Sequence, residues 1–218
     1  MRGQRISFIA TSVVALTSLW PAIAAPVRAQ ARGDCVRKGE RAVHRTAEAV
    51  VAKGGGAIFG CLLSRGVRVR LDRRPRDFSF QIYGPIGRYV AVRAAGGEPC
   101  SYPGPCGGGD LDYEDTSLML FDLRSGRGYS LFRGRTYVGI GGPLKAVVNR
   151  TGTVVFVLRR GDFDFRLMAC ELRRCYTGQR ATGPRELDRS DATFDDVRLD
   201  GNTVTWARRG TPRTTTVD

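Results

Sequence analysis

The feature that most constrains the fold of this chain is a repeat. Gly152-x2-Val155-x3-Arg159-Arg160-Gly161 recurs as Gly201-x2-Val204-x3-Arg208-Arg209-Gly210, a shift of 49 residues. Leu118-Met119, with Asp122-Leu123-Arg124 behind it, recurs at the same shift as Leu167-Met168, with Glu171-Leu172-Arg173 behind it. Looser copies stand at Gly87-Arg88-Tyr89-Val90-Ala91-Val92-Arg93 and at Cys61-Leu62-Leu63-Ser64-Arg65-Gly66. A period of this length is the signature of one supersecondary unit used several times over.

The unit is built of strands. Short apolar, β-branched runs alternate with Gly-rich turns over most of the chain. Strands are expected at Ala47–Ala52, Ala57–Leu63, Val67–Leu71, Phe78–Tyr83, Tyr89–Arg93, Ser117–Leu123, Tyr129–Phe132, Lys145–Asn149, Thr153–Arg159, Arg166–Leu172, Asp196–Leu199, Thr203–Ala207 and Arg213–Val217. Only Gly39–Glu48 reads as a weak helical turn. So many short strands predict an all-β fold, as a sandwich, barrel or propeller. Trp206, Phe156 and Tyr89 alternate within these strands and are expected in the core.

Leu118-Met119-Leu120-Phe121-Asp122-Leu123-Arg124-Ser125-Gly126-Arg127 is an apolar run followed by Asp-Leu-x-x-Gly-Arg. It resembles the third strand and hairpin of a blade in bacterial Tol-type, quinoprotein-type and WD-repeat-like β-propellers. The resemblance implies about four antiparallel units, near residues 40–77, 78–135, 136–184 and 185–218, with the last one strand short. A Trp-Asp ending and a Tol-type metal turn are both missing. Four units is the bottom of the propeller range, so the chain is expected as a small or incomplete propeller, closed by an N-terminal strand or left as an open β-stack.

Residues 1–31 carry the three zones of a secretory signal. Arg2 and Arg5 have no acid near them, Ile6 to Leu19 is uncharged and mostly apolar, and Pro21 ends that run as a helix. Ala29-Gln30-Ala31 fits the cleavage pattern, with Ala22-Ile23-Ala24 as an alternative. Ile6 to Ala25 is about long enough to span a bilayer as a retained anchor, but the proline and the small-residue exit favour cleavage. The mature part, 32–218, is then expected as a single all-β domain, secreted or on the exterior of the cell envelope, with no transmembrane segment.

All six cysteines lie in that part, at Cys35, Cys61, Cys100, Cys106, Cys170 and Cys175. An even count in an exported chain suggests disulfides, although six cysteines allow many pairings. Cys100 and Cys106 bracket the turn-forming Ser-Tyr-Pro-Gly-Pro, Cys170 and Cys175 bracket an expected hairpin tip, and Cys35 is left with Cys61. Zinc is the competing use of the C-x4-C pair, but no histidine stands nearby. Nor is there a C-x-x-C redox pair.

The chain carries 35 Lys and Arg against 21 Asp and Glu, a net charge of +14. Such a balance suits an anionic partner. Nearly all of it is arginine, as a GC-rich genome also produces. The densest cluster is Arg65, Arg68, Arg70, Arg73, Arg74 and Arg76; period two along Val67–Leu71 places Arg68 and Arg70 on one strand face. Aromatic interleaving for base stacking is absent, which makes nucleic acid an unlikely partner. An unknown protein or an anionic envelope polymer fits better.

Little in the sequence carries catalytic chemistry. His44 is the only histidine, and no G-x-S-x-G elbow accompanies it. Asp110, Asp112, Glu114 and Asp115 follow three glycines, an expected acidic loop without EF-hand spacing. Gly139-Ile140-Gly141-Gly142 is followed by Pro143 rather than a helix, so it cradles no phosphate. No cofactor or metal is expected. The sequence therefore points to an exported, non-enzymatic binding or scaffolding module, with Arg68, Arg70, Arg73, Arg74, Arg76, Asp110, Asp112, Glu114 and Asp115 as the candidate surface. The alternative is a secreted hydrolase whose carboxylates come from the 110–115 stretch, with Asp162 and Asp164 as further candidates.

Overall fold

The computed structural model describes residues 35–72, 78–96, 113–137, 141–176 and 182–217. The signal segment, Arg73, Arg74, Arg76, Cys100, Cys106, Asp110 and Asp112 lie outside them. The described chain is all-β and forms four antiparallel sheets, each strand hydrogen-bonded to the next in sequence. Sheet 1 holds β1 (Arg41–Arg45), β2 (Ala49–Gly54), β3 (Ala57–Leu62) and β4 (Arg68–Arg70). Sheet 2 holds β5 (Phe78–Ile86), β6 (Tyr89–Gly96), β7 (Tyr113–Asp122) and β8 (Arg127–Tyr137). Sheet 3 holds β9 (Gly142–Val148), β10 (Thr153–Gly161), β11 (Asp164–Glu171) and β12 (Arg185–Ser190). Sheet 4 has three strands, β13 (Phe194–Asp200), β14 (Thr203–Arg208) and β15 (Thr211–Thr216), and a short helix, α1 (Leu172–Tyr176), follows β11.

The repeat maps onto this order. The motif at Gly152 runs into β10 and its copy at Gly201 into β14, each the second strand of its sheet. Leu118 and Leu167 lie on β7 and β11, each the third. The last sheet is one strand short, as expected. Other expectations need correction. Arg41–Arg45 is a strand and not a helical turn, and Arg185–Ser190 is the fourth strand of sheet 3, so the last unit begins at Phe194 and not at 185. Both missed strands are charge-rich edge strands, exposed or half-exposed at all positions but Ser190, without the apolar alternation that marks a half-buried strand. Glu114 and Asp115 belong to β7 and not to a loop.

The inner strands are buried on both faces, which explains their continuous apolar runs. On β6, Tyr89 and Ala91 pack between sheets 2 and 3, while Val90 and Val92 pack between sheets 1 and 2. On β10, Val154, Phe156 and Leu158 face sheet 2, and Val155 and Val157 face sheet 4 with Phe194, Val204 and Trp206. Each Val, Leu or Phe side chain so removed from water stabilises the fold by about 1.5–3 kcal/mol. Three apolar clusters thus join sheet 1 to 2, 2 to 3 and 3 to 4. Among the described residues no apolar cluster joins sheet 4 back to sheet 1.

The two end faces are finished differently. Across the outer face of sheet 1 runs the segment at residues 35–40, held by the Cys35–Cys61 disulfide, with Cα atoms 5.6 Å apart. It buries Val50 and Cys61 beneath Cys35 and Val36. Glu40 accepts from Arg68 at 2.6 Å, and that guanidinium lies 4.0 Å from the Phe59 ring centre. Sheet 4 instead presents exposed threonines, Thr203 paired with Thr216 and Thr205 with Thr214. Its free edge is blunted. Val217 N–H bonds Asn202 O, so alternate residues of β15 aim their backbone groups outward, and Pro212 stands where an outward N–H would otherwise sit. Arg185 Nη2 donates to the outward Thr216 carbonyl. Both devices suppress edge pairing.

Two tyrosines tie sheets together and set an alkaline limit. Tyr83 OH donates to Leu144 O at 3.2 Å, from β5 to β9, and Tyr176 OH donates to Ser130 O, from α1 to β8. Burial pushes each phenol up to about 12. The unfolded chain loses these protons near pH 10 while the folded chain keeps them, so their contribution is complete below pH 10 and lost as pH rises to about 12. Thermal melts are expected to show Tm falling through this window, with a smaller fall for the Tyr83→Phe, Tyr176→Phe double variant. An equal fall in both would remove the tyrosines as the cause.

Candidate functional site

A mouth of about 700 Å³ opens where the turn between the first two strands of every sheet converges. Glu48 comes from the β1–β2 turn, Gly87 and Arg88 from β5–β6, Arg150 and Thr151 from β9–β10, and Asn202 from β13–β14. Tyr89, Asp122, Tyr129, Glu171, Leu172 and Arg173 complete the wall.

Two of these turns are locked by their own side chains. Thr46 Oγ1 accepts from the Glu48 and Ala49 N–H groups at 3.3 and 3.1 Å. Asn149 Oδ1 accepts from Thr151 N–H, Thr151 Oγ1 and Thr153 N–H at 3.0, 2.8 and 2.9 Å. Its amide donates to Gly201 O at 2.6 Å, so the turns of sheets 3 and 4 are tied to each other. Gly152 is held to glycine twice over: its φ is +89°, and a Cβ there would sit 2.8 Å from the Tyr89 ring. Asp122 Oδ1 accepts from Arg124 N–H at 2.9 Å at the β7–β8 tip, which is what the Asp of Asp-Leu-Arg-Ser-Gly does.

The charged groups of the mouth stand in pairs. Arg88 Nη2 donates to Tyr89 OH at 2.6 Å, and Arg88 Nε lies 3.5 Å from Asp122 Oδ1. Arg150 Nη2 lies 3.3 Å from Glu48 Oε1, linking the turns of sheets 3 and 1. Glu171 pairs with Arg174 at 3.3 Å. The Arg150–Glu48 pair is well exposed on both sides, 77 and 48 %, and is therefore worth no more than about 1 kcal/mol and open to exchange.

The residues singled out in the sequence lie elsewhere. Arg68 is folded into its ion pair with Glu40 and offers little surface, while Arg70 is exposed and donates to buried Asp72 at 2.9 Å. Val67 and Arg70 line a shallow groove with Arg124, Ser125 and Gly126. Glu114 lies 3.8 Å from Arg93 and Asp115 3.6 Å from Arg135. Asp162 binds Arg159 at 2.9 Å. Asp164 is held between Arg166 and Arg189, and the hydrogen bond from Arg166, with both positive charges, keeps its carboxyl below the usual range. His44 is exposed on β1. Cys170 and Cys175 are bridged with Cα atoms 5.8 Å apart, pinning α1 beside the mouth.

Sequence reasoning missed Glu48, Arg150, Thr151 and Asn202 as wall residues. Their signal was the phase of the repeat: Gly152 and Gly201 open its two best copies, and mouth residues stand just before or after them. Together fold and site define an all-β protein of four stacked antiparallel sheets around a polar, arginine-lined mouth. Compared with protein-family models, curated proteins and solved structures, the chain matches none.

Proposed function

We propose that the chain is an exported, non-enzymatic binding module of the envelope exterior, its four units arranged as a small, open propeller-like ring with the mouth as ligand seat. The observation that carries this is the composition of the mouth, one turn from each of four sheets on a scaffold locked by packing. Rigid β-scaffolds place recognition groups on such turns. The disulfides and the leader-like first 31 residues support an oxidising compartment. A hydrolase using the acidic stretch has less in its favour. Glu114 and Asp115 are consecutive strand residues that point to opposite faces, each near its own arginine. Asp164 is biased toward its ionised form, the opposite of a general acid.

The test is export and retention. Expressed from its full sequence in a secreting host, the protein is expected outside the inner membrane, at a mass lacking residues 1–31. It is expected to sediment with purified envelope fragments at low salt, to leave them at high salt, and to release no soluble sugar ends. Recovery in the cytosol with free thiols, or no sedimentation at low salt, would sink the reading.

A further inference from the structure

The charges at the two ends of the sheets are not alike. At the mouth end, the turns carry Arg65, Arg88, Arg124, Arg150, Arg173 and Arg174 against Glu48 alone. At the opposite end the described residues outside strands carry Arg37, Lys38 and Arg209 against Glu40, Asp72, Asp162 and Asp191. The mouth gathers its turns in one place, and the groove that joins Val67 to Arg124 brings the β3–β4 turn beside the β7–β8 turn. Arg65 and Arg124 make no ion pair among the described residues. Among the described turn residues, arginine without an acidic counterpart is therefore concentrated at the mouth end.

The mouth is not purely cationic. Glu48, Asp122 and Glu171 alternate with its arginines, and Thr151, Asn202 and Tyr129 add neutral polar groups. A polyanion poor in hydroxyls meets those carboxylates at a cost. An anionic polymer rich in hydroxyls gains from both: guanidinium groups hold its carboxylates in a fork, and the protein carboxylates accept from its hydroxyls. Gly87 lies between Glu48 and Arg150 and has no side chain to fill the space beside them, so a chain can approach that exchangeable pair. On the binding reading above, we infer that the arginine-tipped turns around the mouth form a site for an acidic polysaccharide, one bearing uronate-type carboxylates among free hydroxyls.

The experiment measures binding of the oxidised, full mature chain to polygalacturonate, to neutral dextran and to single-stranded DNA, at 50 and 300 mM salt. Polygalacturonate is expected to bind at low salt, more tightly than DNA, and to weaken at least tenfold at high salt; dextran is expected not to bind. R65Q/R124Q/R150Q, all surface changes, is expected to lose at least tenfold in affinity with an unchanged Tm. R209Q, at the opposite end, is expected to match the wild type. Equal or tighter binding of DNA, or an unaffected triple variant, overturns the site. Envelope retention without polygalacturonate binding overturns the ligand class alone, whereas loss of envelope retention overturns the broader reading.

Discussion

Phe156→Ala is expected to lower unfolding stability by about 3–5 kcal/mol, a fall of roughly 6–20 °C in Tm for a chain of this size. Phe156 lies at the middle of β10, 1 % exposed, with Leu118, Leu120 and Leu131 of sheet 2 on the face it occupies. Sheets 2 and 3 are both pinned at their edges by other contacts, so they have little freedom to collapse into the cavity a missing ring leaves. Phe163, seven positions on in the same hairpin, is 79 % exposed, and Phe163→Ala is expected within about 0.5 kcal/mol of wild type. Urea melts of the two variants check the pair. Similar losses at both positions would mean that the packing of sheet 2 on sheet 3 has been misplaced.

The second large effect belongs to the Cys35–Cys61 bridge. Its partners are 26 residues apart, and closing such a loop restricts the unfolded chain by about 3.5 kcal/mol on the chain-entropy model. The bridge also clamps the segment that covers Val50 and Cys61, so the Cys35→Ser, Cys61→Ala variant is expected to lose at least that much. It should also lose amide protection at Val50 before the rest of the core. Cys170 and Cys175 are only 5 residues apart, and their removal is expected to cost about 2 kcal/mol. Equilibrium melts of both variants, with hydrogen exchange of the first, decide the matter. A larger loss from the short bridge than from the long one would overturn this account of the strap.

How far the fold was legible depended on where a strand sits. β6, β10 and β14 lie in repeat copies, and their apolar residues meet neighbouring sheets, so both period and apolar content announced them. β1 and β12 lie at sheet edges, where Arg41, Arg45, Arg185 and Glu186 meet water, and exposed strands select no particular residue. The acidic residues misled for a related reason. Glu114 and Asp115 follow a glycine run and look like loop, yet they extend β7 because Gly96 and Ala95 of β6 pair with Asp115 and Thr116. Pairing with a strand some twenty residues away outweighs local propensity.

The site was less legible than the fold. Arg68 looked like part of a basic surface, since a strand face is all that alternation reveals. Only the strap crossing that face turns it into the partner of Glu40. Arg88 and Arg150 looked ordinary, because nothing in the chain states that turns some sixty residues apart meet.

What the sequence determined by itself is the unit: a repeated strand-turn pattern, its cysteine staples at Cys35, Cys61, Cys170 and Cys175, and a strongly basic charge. These follow from local periodicity and composition, which need no knowledge of distant contacts. Tertiary structure alone decided which faces are covered and where the arginines gather. Stacking of sheet on sheet sends equivalent turns to one end, and Asn149, Glu48 and Arg150 then bind across units to close the mouth. That convergence is a property of the stack, absent from any single unit.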